Sequence, residues 1–238
     1  MSLVVTVYVP EGIVMAADSR LTLEFQVTQG GSTKHHSVPS SDSTYKVFAA
    51  PNNVGVAAFG SASVGSTPVA ALVEAFFVKE LASGDKTAEV VSEMLLAHFR
   101  TLTGPPATRF HVAGYKEGSQ VVLDIDVAAN TVTQVNTAGQ GAAWGGEADP
   151  LSRLLSKVGS LDQNGHLLKE LPLFRTAFQH FTLQDAVDFA VYAIRTTADT
   201  MRFQMRAQTV GGPIDVLVIR PSGVTWLHRK ALRMPGTA

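Results

Sequence analysis

The sequence predicts an α+β fold, on three observations. Short runs rich in β-branched residues come in pairs around turn residues, at Leu3 to Ala17, Tyr45 to Gly60 and Val216 to His228. Longer segments carry apolar residues at a helical period, the longest from Leu183 to Phe203. The order along the chain is strand pairs, two helices, a strand meander, more helices and a final hairpin. That order suits two antiparallel sheets stacked face to face with helices outside. The 238 residues are read as a single domain, 1–238, with a loop insertion at about 24–44.

The first element is a hairpin. Leu3 to Val9 is β-branched, Pro10-Glu11-Gly12 is turn chemistry, and Ile13 to Ala17 is a second apolar run. Antiparallel pairing brings the end of the second strand back beside the start of the first, so Asp18 is expected close to Ser2. Removal of Met1 would make Ser2 the N-terminus, and a free α-amine, a hydroxyl and a carboxylate would then converge. From Gln26 to Thr44 the chain is mostly Gly, Ser, Thr, Gln and Lys and reads as a long loop or mobile hairpin. His35-His36 lies in it, but without a second pair of ligands at a suitable spacing it reads as solvated.

Order returns with Tyr45-Lys46-Val47-Phe48 and, past the Asn52-Asn53 turn, Val54 to Gly60. Helices are expected at Thr67 to Ala82, with Thr67-Pro68 as N-cap and N1, and at Lys86 to Leu102, where Val90, Val91, Met94, Leu95 and Phe99 form one stripe. Their Phe and Met residues read as core. Arg109 to Tyr115, Ser119 to Val127 and Thr131 to Val135 alternate as strands. Gly139-Gln140-Gly141 does not open a dinucleotide loop, because no βαβ unit surrounds it. Helical patterns follow at Asp149 to Val158, Leu167 to Gln179 and Leu183 to Phe203, with Asp199 as a helix-surface charge. Val216 to Arg220 and Val224 to His228 close the chain as a hairpin.

Composition narrows the function. Nineteen basic residues against twenty acidic leave a formal net charge of -1, and no long run of either sign points to a nucleic-acid or anionic-membrane partner. Apolar runs are too short to span a bilayer. No basic n-region or small-residue cleavage site marks a signal peptide, which makes the cytoplasm the default location. Without cysteine there is neither a thiolate nucleophile nor a Cys metal site. No metal or cofactor is expected.

The hairpin GIVMAADSR, the passage YKVFAAPNNVGVAAFGSAS and the segment around Thr209-Val210-Gly211-Gly212 resemble proteasome β-subunits and their bacterial Anbu-like relatives, the proteasome-type N-terminal-nucleophile (Ntn) hydrolases. The resemblance implies a four-layer αββα sandwich and assembly into rings or related homo-oligomers. It places the nucleophile on Ser2, sixteen residues before Asp18, with the catalytic lysine at Lys46 and the oxyanion-hole amide at Gly60. It further implies hydrolysis of a peptide or amide bond with the α-amine of Ser2 as base. Departures accompany it. Ser replaces the family's Thr, the gap from Asp18 to Lys46 is longer, and Gln140 stands where the family has an auxiliary serine. Ala207 and Val210 replace two polar partners. These departures leave two alternatives beside peptide hydrolysis, a catalytically inactive ring-forming subunit and an amidohydrolase of a small amide.

Overall fold

The computed structural model describes residues 2–29, 31–82, 86–102 and 106–232. The chain begins with β1 (Leu3–Val9), β2 (Gly12–Ala17), β3 (Leu21–Gln29), β4 (Ser32–Ser41), β5 (Val47–Ala50) and β6 (Val54–Gly60). The two-residue strands β7 (Ser63–Val64) and β8 (Thr67–Pro68) precede the helices α1 (Val69–Glu80) and α2 (Ala88–Thr101). Then come β9 (Thr108–Lys116), β10 (Ser119–Asp126), β11 (Thr131–Gln134), β12 (Gly141–Gly146), α3 (Asp149–Leu155), β13 (Gly159–Leu161) and β14 (Leu167–Glu170). Helix α4 (Leu183–Arg202) and the strands β15 (Asp215–Arg220) and β16 (Gly223–His228) complete it.

One five-stranded sheet has the order β12-β1-β2-β15-β16 and a second the order β11-β10-β9-β6-β5. Strand β1 is buried along its whole length, and its alternation shows why the sequence there is continuously apolar. Leu3, Val5, Val7 and Val9 enter one core, beneath α4. Val4 and Tyr8 enter another, between the sheets, with Ile13, Met15, Val47, Ala57 and Phe59. A strand with both faces covered needs apolar residues on both. Helices α1 and α2 pack on the second sheet through Val73, Phe76, Val91, Leu95 and Phe99. Each such fully buried side chain contributes roughly 1.5–3 kcal/mol.

Helix α4 begins at a capping box, in which Thr182 Oγ1 accepts from Asp185 N at 3.2 Å and Asp185 Oδ2 accepts from Thr182 N at 2.8 Å. It buries Ala186, Ala190, Ala193, Ile194, Thr197 and Met201 on one stripe. The small alanines let the helix lie close against β1 and β2.

The fold class is therefore corrected. Strand accounts for 41% of the described residues and helix for 25%, and all five sheets are antiparallel, so the molecule is β-rich and not the expected four-layer αββα Ntn sandwich. Two segments account for much of the difference. Gln26 to Thr44, expected as a long loop or mobile hairpin, belongs largely to a regular β3–β4 hairpin that already starts at Leu21 and runs to Ser41, with Leu23, Phe25 and Val27 alternating with polar residues. Leu167 to Gln179, expected as a helix, holds β14 and then irregular chain up to a single 3-10 turn at Phe178–His180. Asp162 there accepts from the amides of Asn164 and His166, both at 2.8 Å. That turn joins β13 to β14 as a hairpin, and Pro172 denies a helix its continuation. The first helix also starts later than expected, since Thr67–Pro68 pairs with Ser63–Val64.

Candidate active site

The β1–β2 register, Val4 opposite Ala17, carries Asp18 to the start of β1. There it is 1% exposed, a burial that a carboxylate tolerates only when its lone pairs are filled. They are filled by four donors. Asp18 Oδ1 accepts from Leu3 N at 3.0 Å and from Lys46 Nζ at 2.8 Å. Asp18 Oδ2 accepts from Arg20 N and Gly211 N, both at 3.1 Å. The amide directly after Ser2 and the Lys46 ammonium thus share one oxygen atom.

Lys46 precedes β5 and is nearly as buried as its partner, with side-chain exposures of 7% and 0%. Its ammonium also donates to Arg20 O at 2.7 Å. Burial pushes the Lys46 pKa below the ordinary lysine value, the charge and hydrogen bond of Asp18 oppose that shift, and the nearby Lys230 cation adds to it. Lys230 is held by its own buried partner, pairing with the Asp215 carboxylate while its N–H donates to Asp215 Oδ1 at 2.8 Å. Asp215 faces Ala17 across the ladder, so a second Asp–Lys pair stands beside the first.

Ser2 is 6% exposed, and its carbonyl accepts from Glu147 N at 2.7 Å. Among the described residues its hydroxyl makes no hydrogen bond to Asp18 or Lys46. Met1, whose removal would free the Ser2 amine, lies outside the described residues. Gly60 ends β6, two residues beyond Ala58, whose N–H donates to Lys46 O at 2.8 Å. Its φ of +91° lies in the region that favours glycine, and a Cβ there would overlap the Ala107 carbonyl. The ring of Phe59, the residue before it, fills the space over Gly145, and Gly145 is the ladder partner of Val4. Among the four expected residues, Asp18 and Lys46 are bonded directly, Ser2 adjoins them through the Leu3 amide, and Gly60 closes the same end of the facing sheet.

Gln140 does not belong to this end. Gly141 pairs with Tyr8, whereas Gly146 pairs with Leu3, so the segment beside Ser2 is Gly145-Gly146-Glu147 and Gln140 lies a whole strand away. The carboxylate of Glu147 holds Arg206 Nη1 at 2.8 Å and Thr209 Oγ1 at 3.5 Å. Val210 is fully buried in the apolar core.

Several positions escaped the sequence reading. Ser19 Oγ donates to Pro213 O at 2.6 Å, and Ser19 N to Gly211 O at 3.0 Å. Arg20 grips Asp42 with two parallel bonds, 2.7 Å from Nε and 2.8 Å from Nη2, and its Nη1 donates to Gln208 O at 3.3 Å. This fork holds the Asp42 carboxyl below its usual range. Gly211 leaves room for that guanidinium, since a Cβ would come within 2.6 Å of Arg20 Cζ. Among the described residues the buried Thr22 hydroxyl has no hydrogen-bond partner. The adjacent Asp-Ser-Arg was visible as a motif, but Asp42 sits in the segment read as a long loop or mobile hairpin.

Among the described residues no group of three or more His, Cys, Asp or Glu side chains could hold a metal ion, and no helix is long and apolar enough to cross a membrane. His36 stacks on Phe25 at 5.3 Å between centroids. Compared with known proteins, the chain matches no family model and no curated sequence, so the residues themselves carry whatever is argued about its chemistry.

Proposed function

We propose that the chain is an amide-bond hydrolase with an N-terminal nucleophile, cleaving a peptide or amide through Ser2 once Met1 is removed. The observation that carries this reading is the buried Asp18 oxygen shared by the Leu3 amide and the Lys46 ammonium. It ties a cation to the amide that follows Ser2, which supports a cation near the Ser2 amine once that amine is free. A terminal amine titrates at roughly 7.7–8.0, and a neighbouring cation lowers that value, favouring the neutral base near pH 7. The amine takes the Ser2 Oγ proton as Oγ attacks the carbonyl carbon. The Gly60 N–H steadies the developing oxyanion, a donor of a kind worth roughly 3–4 kcal/mol. Collapse expels the amine product, which takes the proton from the Ser2 α-ammonium, and leaves an ester on Ser2; the α-amine then deprotonates the attacking water and returns that proton to Ser2 Oγ as the acid leaves.

A second reading has a specific observation in its favour. With Ala207 and the buried Val210 at positions where polar partners were expected, the chain would instead be an inactive, ring-forming subunit. Cleavage of a small amide in place of a peptide would leave the nucleophile's chemistry unchanged. Intact mass and mutagenesis separate these readings. Met1 should be absent from the native protein, and Ser2→Ala and Lys46→Ala should each abolish hydrolysis of fluorogenic peptide amides. Retention of Met1 in essentially all molecules, or normal turnover by a well-folded Ser2→Ala protein, would overturn the proposal.

A further inference from the structure

The strap that holds Asp18 has a second side. Gly211, whose N–H donates to Asp18, lines with its next three residues a cleft of about 520 Å3 whose opposite wall is α4. That volume lies within the range of small-molecule sites. Ile194, Arg195 and Asp199 face it from the helix, His228 from β16, and Arg20 closes it toward the Asp18 side. It shares Arg20 and Gly211 with the site above but none of Ser2, Lys46 and Gly60.

Three features describe what would fit. Arg195 and Asp199 are one turn apart, a spacing at which opposite charges ordinarily pair, with Cβ atoms about 5–6 Å apart. Among the described residues neither makes an ion pair or hydrogen bond, so both charges are available to a ligand. His228 Nδ1 lies 2.7 Å from Ile214 O; a carbonyl only accepts, so Nδ1 carries the proton and Nε2 is the ring nitrogen left over. Half-buried Val191 and Ile214 add aliphatic lining to the cleft. A ligand with a carboxylate at one end and an ammonium at the other matches this layout. Two extended residues span about 7 Å, which suits termini reaching Arg195 and Asp199.

We propose that this cleft is a second binding site for a dipeptide-sized zwitterion, with the ligand carboxylate on Arg195 and its ammonium on Asp199, and that occupancy is felt at Asp18 through Gly211. The regulatory half rests on the hydrolase reading, because free-ended short peptides are what cleavage of a peptide bond releases. The binding half does not.

The test is a titration of 15N-labelled Ser2→Ala protein with alanylalanine, and with N-acetylalanine methylamide as an uncharged analogue. Saturable binding of alanylalanine that moves the Gly211 amide resonance is expected, with no binding of the analogue. Arg195→Ala and Asp199→Ala should each weaken binding by about tenfold or more, the loss of one hydrogen bond to a charged group. Both side chains are exposed, so the variants keep the fold. Equal affinity for the neutral analogue, or unchanged affinity in both variants, would overturn the site. The titrated protein lacks the nucleophile, so failure here speaks against the cleft alone. Intact binding alongside a Ser2-bearing protein that hydrolyses nothing speaks against the hydrolase reading alone.

Discussion

Asp18 accepts four hydrogen bonds and faces one cation, so its replacement tests whether the pair serves position or stability. Asn at this place keeps the shape but turns an NH2 group toward donors and leaves the Lys46 ammonium buried without a counter-charge. Breaking a buried pair from one side costs about 3–5 kcal/mol. Asp18→Asn should lose that much in denaturant unfolding together with hydrolysis, and adding Lys46→Met should restore stability without activity; unchanged stability in Asp18→Asn would contradict the pairing. His111 supplies a pH dependence. It is fully buried between the sheets, where Thr6 Oγ1 lies 3.0 Å from Nδ1, and burial, aided by the Arg109 cation, lowers its pKa from 6.5 to about 4. Between those values the unfolded chain binds the extra proton, so this contribution is complete above pH 6.5 and is lost as pH falls toward 4. The loss should reach ~3 kcal/mol, and His111→Gln, which keeps a hydrogen bond but cannot titrate, should flatten that limb of the stability curve. How far single residues were legible followed from range. Asp18 was placed correctly because a short turn sets the register of its hairpin. Gln140 was misplaced because both ends of β12 are glycine, and only strand pairing tells which end meets Ser2. Asp42 and Lys230 reach the site by contacts that no local pattern announces.

At the scale of elements, the β3–β4 hairpin is one of three isolated two-stranded ribbons among the described residues, and its root is tied to the site. Its strands pair only with each other, and an isolated two-stranded ribbon is at best marginally stable in water. Its root is fastened instead, by Arg20 on Asp42, by Thr44 N on Ser19 O at 3.0 Å and by Lys46 on Arg20 O. Replacing residues 24–38 with a short turn should therefore move the melting temperature by no more than about 3 °C, equivalent to roughly 1 kcal/mol in a domain of this size. The same change should alter which peptide lengths are hydrolysed. A truncated protein that no longer folds would show the ribbon to be structural. Polar composition left this segment open between a long loop and a hairpin, since Gly, Ser and Thr suit solvated strands as well as loops. The 167–179 segment misled in the opposite sense: its leucines fall at helical spacing, while the preceding Asx turn and Pro172 decide against a helix.

At the scale of the whole molecule, paired strands and the longer helices were legible because their periodicity is local, whereas the balance between sheet and helix was not, because it depended on two solvent-facing segments with weak periodicity. Those segments also bear on assembly. Self-association was expected from the resemblance, and the first helix adds little to it, since Phe76 is fully buried and Phe77 packs on the same core, leaving Val78 exposed. The larger surplus lies on the hairpins and the chain after them, at Leu23, Phe25 and Val27, and at Leu168 and Phe174, the last 89% exposed. Large apolar side chains exposed along one face of a strand, as at Leu23, Phe25 and Val27, mark contact sites, and a net charge of -1 opposes association only weakly. A second copy of the chain is the partner proposed, since a homo-oligomer covers such surface on every subunit at once. Light scattering at micromolar concentration should give a mass above the 25.3 kDa of one chain, and Phe25→Ser with Phe174→Ser should reduce it while leaving the melting temperature of the fold unchanged. A strict monomer under those conditions defeats the assembly proposal, and an oligomer indifferent to both substitutions would put its interface elsewhere.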